Sequence, residues 1–362
     1  MRRAFAFSFV GLLVACSSFK NEAPAADAGT GDAAPIDGGL PADSGPGDAQ
    51  SGDGASAPDT GLADGSTPDA ATGCAGDGGC PVEVLVDNLD QASLVLVDST
   101  NIYFADPGAP GSAVYQCPKT GCTTPITLGS GYATGMGIDS ANVYWNDFSA
   151  GSVVACTIGG CGGQPKVLAS SQTSLEGVTF DGTNLSWSTL GNIVTCKPPA
   201  CSPLVTLATG QGAGIPPLAS DTGTVYWCST GGGGSVESCG AAGCNGMPHQ
   251  VATGLATSVF VKNGFAYFTL SNSVVSCPVT GCGGSPFTIG SSLQPYAVIS
   301  DGAFVYWLDD IDFDVYRCPV SGCGSSPSIF ATMQMAAPGA DIALDADYVY
   351  WTASSQVLRK HK

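Results

Sequence analysis

The chain has 362 residues and a formal net charge of -19, with 30 Asp and Glu against 11 Lys and Arg. So few bases exclude a nucleic-acid partner, which needs clustered Lys and Arg against phosphate, and two histidines leave little for imidazole chemistry. With 51 Gly, 24 Pro and 16 Cys, the composition is that of a turn-rich, oxidised chain.

Residues 1–15 read as a signal peptide: Arg2 and Arg3 open it, an apolar run from Ala4 to Ala15 follows, and Leu13-Val14-Ala15 precedes Cys16. The run is too short to stay across a bilayer. Its L-V-A-C ending resembles the bacterial lipobox, which implies cleavage before Cys16 and lipidation of that cysteine. An ordinary secretory signal cut near Ala15 is the alternative. Ser17 and Ser18 resemble the pattern that sends lipoproteins of Gram-negative bacteria to the outer membrane. Residues 16–73 form an acidic Ala, Gly, Asp and Pro tether with too few large apolar residues to fold. As a random coil it spans roughly 40 Å. The expected address is the bacterial cell envelope, periplasmic or surface-exposed, with the membrane touched only through the lipid.

Residues 74–362 form the folded domain. Behind an export signal its cysteines read as disulfides: Cys74 with Cys80, Cys117 with Cys122, Cys156 with Cys161, Cys196 with Cys201, Cys239 with Cys244, Cys277 with Cys282, and Cys318 with Cys323. A four-residue turn, as in the Cys-Pro-x-x-Gly-Cys run at Cys117, Cys277 and Cys318, sets the two cysteines opposite one another. Zinc fails on geometry, because the pairs recur about every 40 residues with no histidine beside them. Cys228 is left over and reads as a packed thiol.

An aromatic pair or its equivalent recurs about every 41 residues, at Tyr103-Phe104, Tyr144-Trp145, Ser186-Trp187, Tyr226-Trp227, Tyr267-Phe268, Tyr306-Trp307 and Tyr350-Trp351. Each unit divides into four short strands, a to d, separated by Gly, Asp, Asn and Pro turns. That is a blade, and seven blades make an all-β, seven-bladed β-propeller. The last unit stops after strand c, and its missing clip and strand d stand at the other end of the domain as Cys74 to Cys80 and Pro81-Val-Glu-Val-Leu-Val. The N-terminal strand is therefore expected to pair with the C-terminal strands and close the ring. An open stack or β-helix is the alternative. In six units an Asp precedes the Tyr position by five residues, and a hairpin-turn role accounts for it. All five tryptophans share one repeat position, which reads as packing between blades.

The strings YFAD at Tyr103, YWND at Tyr144 and YWLD at Tyr306 resemble YWTD-type and NHL-type propeller repeats, over about 280 residues. The acid is lost in SWST, YWCS, YFTL and YWTA, and YWTD propellers usually have six blades. The resemblance implies a protein- or peptide-binding role. The tether behind a lipobox is similar to uncharacterised secreted lipoproteins of myxobacteria.

Function in a propeller lies in the loops joining b to c and d to the next a, which open on one face. One such loop holds Asp309, Asp310, Asp312 and Asp314. Asp310, Asp312 and Asp314 have the spacing that begins a calcium loop, although Val315 replaces its Gly and Ser321 its bidentate Glu. In an extended segment all three would face one side; a solvated acidic rim is the alternative. Asp106 and Asp147 lie in equivalent loops, so Asp106, Asp147 and Asp309 mark a candidate binding face. Gly231 to Gly234 lack the strand–helix context of a phosphate loop. The expected function is a lipid-anchored module binding a protein or envelope component, monomeric and needing no cofactor, with calcium the one ion suggested. A propeller enzyme such as a lyase or glycan hydrolase is the alternative.

Overall fold

The computed structural model describes residues 80–108, 111–212, 218–332 and 340–362. The signal peptide, Cys16, the tether and Cys74 lie outside the described residues. Among the described residues twenty-eight strands form seven four-stranded antiparallel sheets, which makes a seven-bladed β-propeller. In blade 1 the strands are a, Ser93–Val97; b, Asn101–Asp106; c, Ala113–Pro118; and d, Ile126–Ser130. Blades 2 to 6 repeat this order, with their a strands at Met136–Ile138, Leu175–Phe180, Leu218–Asp221, Val259–Lys262 and Pro295–Ser300.

Blade 7 takes its a, b and c strands from Ile342–Leu344, Tyr348–Ala353 and Gln356–His361, and its d strand from Glu83–Val86 at the other end of the domain. Glu83 pairs with Arg359 and Val84 with Leu358. Arg359 Nε and Nη2 donate to Glu83 Oε2 at 2.8 and 2.6 Å, which ties this register across the seam. The expected closure is what the chain adopts, and the last sheet has the same four strands as the other six.

The five tryptophans are fully buried, each among the core residues between neighbouring blades. Trp145 closes over Gly129 and Trp307 over Gly290, strand d residues of the preceding blade. A Cβ at either glycine would stand 2.8 Å from the indole. Small residues on one blade thus admit the large ring of the next, and burial of such rings is the main attraction between blades.

Six disulfides are present among the described residues, each closing a c-to-d turn. Their Cα separations run from 4.7 Å at Cys196–Cys201 to 5.8 Å at Cys117–Cys122. These clips also reach sideways. The amides of Cys122, Cys282 and Cys323 donate to Leu85, Val251 and Ile289 carbonyls on strand d of the preceding blade. Cys228 is buried and outside any disulfide. Such a set of bridges points to an oxidising, extracytoplasmic compartment.

Strand direction alternates within a blade, so a-to-b turns and c-to-d clips share one face of the ring, and b-to-c and d-to-a connections share the other. We call these the clip face and the loop face.

Candidate functional site on the loop face

The turn aspartates belong to the clip face and are structural. Asp98 Oδ1 accepts the amides of Thr100 and Asn101, both at 2.6 Å, and Asp98 Oδ2 accepts the Tyr103 hydroxyl at 2.6 Å. Asp139 with Tyr144 and Asp345 with Tyr350 repeat this arrangement. Burial opposes ionisation of these carboxyls, but the tyrosine and amide bonds, joined at Asp345 by Lys119, outweigh it and hold their pKa values below the usual range.

The residues expected on the loop face are there, but several are internal. Asp106 ends strand b of blade 1, buried, and accepts the amides of Asp90, Gln91 and Gly108. Asp309 ends strand b of blade 6, also buried, and accepts those of Gln294 and Ile311. Each fastens the d-to-a connection entering its own blade. In blade 2 that task passes to Asn146, which accepts the amides of Thr134 and Gly135. Asp147, the next residue, is partly exposed and accepts the Ala150 amide.

Asp310 and Asp312 lie in a turn, not in the extended segment that would align them with Asp314 on one side. Phe313, with φ 63°, breaks the alternation. Asp310 Oδ2 accepts from Gln294 Nε2 at 3.3 Å, while Asp312 turns back to accept the Tyr316 hydroxyl at 2.6 Å and the Asp314 amide at 3.3 Å. Asp314 begins strand c and is buried. Among the described residues no three His, Cys, Asp or Glu side chains are grouped so as to hold a metal ion. Gly231–Gly233 form a single 3-10 turn.

Two features of this face were not apparent from residue types alone. Glu176 lies at the loop-face end of strand a of blade 3, beside the bulge at Gly177. Burial raises its carboxyl to about 7, which makes it a titrating group in the neutral range. The second is the sorting of charge. From residue 80 onward the sequence has eight bases, and all lie in the clip half. Lys119, Lys166, Lys197 and Lys262 stand at clips or turns; Arg317, Arg359 and Lys360 lie in the clip-side half of strand c; Lys362 ends the chain. Acids pair with several of them, as in Lys119–Asp345 at 2.7 Å, Arg359–Glu83 at 2.6 Å and Lys362–Asp301 at 3.3 Å.

The loop half has no base to answer its acids: Asp87 and Asp90 before blade 1, Asp106, Asp147 and Asp309 at strand b ends, Glu176 and Asp341 at strand a starts, and Glu237, Asp310, Asp312 and Asp314 in blades 4 and 6. Among them stand exposed apolar side chains, namely Phe148, Leu190, Leu255, Leu293 and Ile311, all in b-to-c or d-to-a connections. Phe148 packs edge-on to Tyr132 at 6.1 Å. Both histidines are on the opposite side: His249 begins strand d of blade 4 and His361 ends strand c of blade 7, each exposed at the clip face.

No protein-family model matches the chain, and no curated protein sequence matches it. Solved structures do match. Virginiamycin B lyase from Staphylococcus aureus is similar with a TM-score of 0.62 at 12% identity, covering 78% of this chain and 98% of that one, and a catalytically inactive histidine-to-alanine variant of that enzyme is known with quinupristin. A streptogramin B lyase matches with a TM-score of 0.61 at 9% identity, over 78% of this chain and 97% of that one. The nidogen/laminin complex matches with a TM-score of 0.47 at 19% identity, over 64% of this chain and 90% of that one. At these identities the two lyase likenesses are of fold, and they agree with the seven-bladed propeller that the strand pairing defines.

Proposed function

We propose that this chain is a lipid-anchored, extracytoplasmic binding module whose protein or envelope ligand docks on the loop face. Cys16 carries the anchor and residues 16–73 the tether in this reading. The carrying observation is the sorting of charge, because a face with only acids, set among exposed leucine, isoleucine and phenylalanine side chains, is costly in self-repulsion and exposed apolar area unless a partner covers it.

One observation favours a second reading, an enzyme acting on the loop face at blade 3: the Glu176 carboxyl, raised to about 7, suits general acid or base work. Both histidines lie on the other face, which weighs against a histidine-dependent lyase.

The test is retention on isolated cell envelopes of the purified chain carrying Cys16→Ser, so that no lipid anchor holds it there. A variant with Phe148→Ser, Leu190→Ser, Leu255→Ser and Leu293→Ser should lose retention about tenfold or more, since central apolar contacts dominate such interfaces. Met247→Ser, at an exposed clip-face residue, should leave it unchanged. Equal retention of all three proteins would overturn the reading.

A further inference from the structure

Tyr296 occupies a β-bulge in strand a of blade 6, where pairing jumps from Pro295–Asp309 to Ala297–Leu308. A bulge leaves the extra residue outside the ladder and re-aims its side chain. Tyr296 is 9% exposed, and its hydroxyl is buried with no hydrogen-bond partner. Burial, then the charges of Asp310, Asp341 and Asp309, push that hydroxyl far above the ordinary phenol range, so three carboxylates act on it at once. Native proteins rarely leave a buried hydroxyl unpaired, and exceptions call for a reason.

The neighbouring groups are arranged for a donor that arrives from outside. Gln294 Nε2 reaches Asp310 Oδ2 at 3.3 Å on an exposed bond, a long contact at the surface. Leu293 and Ile311 flank this pair and are exposed. No base lies in this half of the propeller, and the carboxylates are not grouped for a metal ion among the described residues. An organic cation spreads its N–H groups over several ångströms and fits carboxylates spaced too widely for one metal.

We propose that the loop-face surface at Gln294 and Asp310, over the buried Tyr296 hydroxyl, takes the guanidinium or ammonium head of a cationic peptide segment whose apolar side chains lie over Leu293 and Ile311. The head donates to Asp310 Oδ2 in place of Gln294 Nε2, and to Tyr296 Oη. This assignment rests on the loop face being the binding face.

Calorimetry of the full-length protein tests it, with a blocked alternating Arg-Leu hexapeptide as probe and a blocked Glu-Leu hexapeptide as charge control. The Arg-Leu peptide should bind at one site and the Glu-Leu peptide should give no heat. Tyr296→Phe and Asp310→Asn should each weaken binding about tenfold. Tyr296→Phe should nevertheless melt at or above the wild-type temperature, because it deletes an unpaired buried hydroxyl. Asp347→Asn, on the exposed clip face, should bind as wild type.

No binding of the Arg-Leu peptide, or equal affinity in every variant, overturns the site. Should envelope retention fall in the apolar loop-face variant while Tyr296→Phe binds peptide unchanged, the binding face stands and the cation site fails. Should neither set of changes have an effect, both readings fall.

Discussion

Asp98, Asp139 and Asp345 stand five residues before a tyrosine because each carboxylate serves two masters in one hairpin: its own turn amides and the hydroxyl returning on strand b. The turn half of that role is legible in the sequence, since Asp favours bonding the backbone just ahead of it. The tyrosine half appears only when the hairpin is folded. The unit with Lys262 in this place is no exception to the logic, because Asn263 and Gly264 have φ of 53° and 78° and make the turn without a carboxylate. Glu176 is the opposite case, since nothing in its flanking residues tells that burial awaits it. Its carboxyl is ordinarily near 4.5 and is held at about 7 in the fold, so the folded state favours the neutral form. Its contribution to stability is fully present below about pH 4.5 and is lost as pH rises through about 7. Glu176→Gln should therefore melt like wild type near pH 4 and at a higher temperature near pH 8. Melting curves across that range check it, and a difference constant with pH would assign the burial penalty elsewhere.

At the scale of the element, the clip is more than a hairpin staple. The disulfides close such short loops that each removes only about 2 kcal/mol of unfolded-state entropy in the chain model. The amides of Cys122, Cys282 and Cys323, however, bond the preceding blade, and the glycine of the Cys-Pro-x-x-Gly-Cys run makes that approach possible. Gly322 has φ +87° and its added Cβ would stand 3.0 Å from the Thr288 carbonyl oxygen of blade 5. Gly283, in the neighbouring clip, has φ +60° with open space around it. Gly283→Ala should thus cost about 1 kcal/mol from backbone strain alone. Gly322→Ala should cost about 1–2 kcal/mol more, from the clash between blades. Urea denaturation of the two variants separates the terms, and equal costs would show that the clip does not brace its neighbour. The cysteine spacing makes the clip legible in sequence; its contact with the preceding blade is a product of ring packing. The acidic loop of blade 6 shows the converse, because its D-x-D-x-D spacing suggests a ligand set while Phe313, at φ 63°, and Tyr316 direct the carboxylates elsewhere.

For the whole molecule, net negative charge is legible in composition, but its polarity is not. Bases are scattered among acids along the chain and are confined to one half only because strand direction reverses within each blade, which sends b-to-c and d-to-a connections to the other side. The aromatic period and the missing last strand make the ring and its closure legible, since both follow from counting. If the seam in blade 7 is equivalent to the other blades, it should also bear equal load. Leu85, on the N-terminal strand d, is 6% exposed, and Leu128, at the matching place in blade 1, is fully buried. Each truncation to alanine removes a buried side chain from a comparable site, so Leu85→Ala and Leu128→Ala should each cost about 2–4 kcal/mol. Both variants should keep a single urea transition with the wild-type slope, because a closed ring offers no weaker blade to open first. A separate early transition confined to Leu85→Ala would mean that the strand from the chain's N-terminal side is a detachable latch, and that the loop face of blades 7 and 1 can loosen without unfolding the rest.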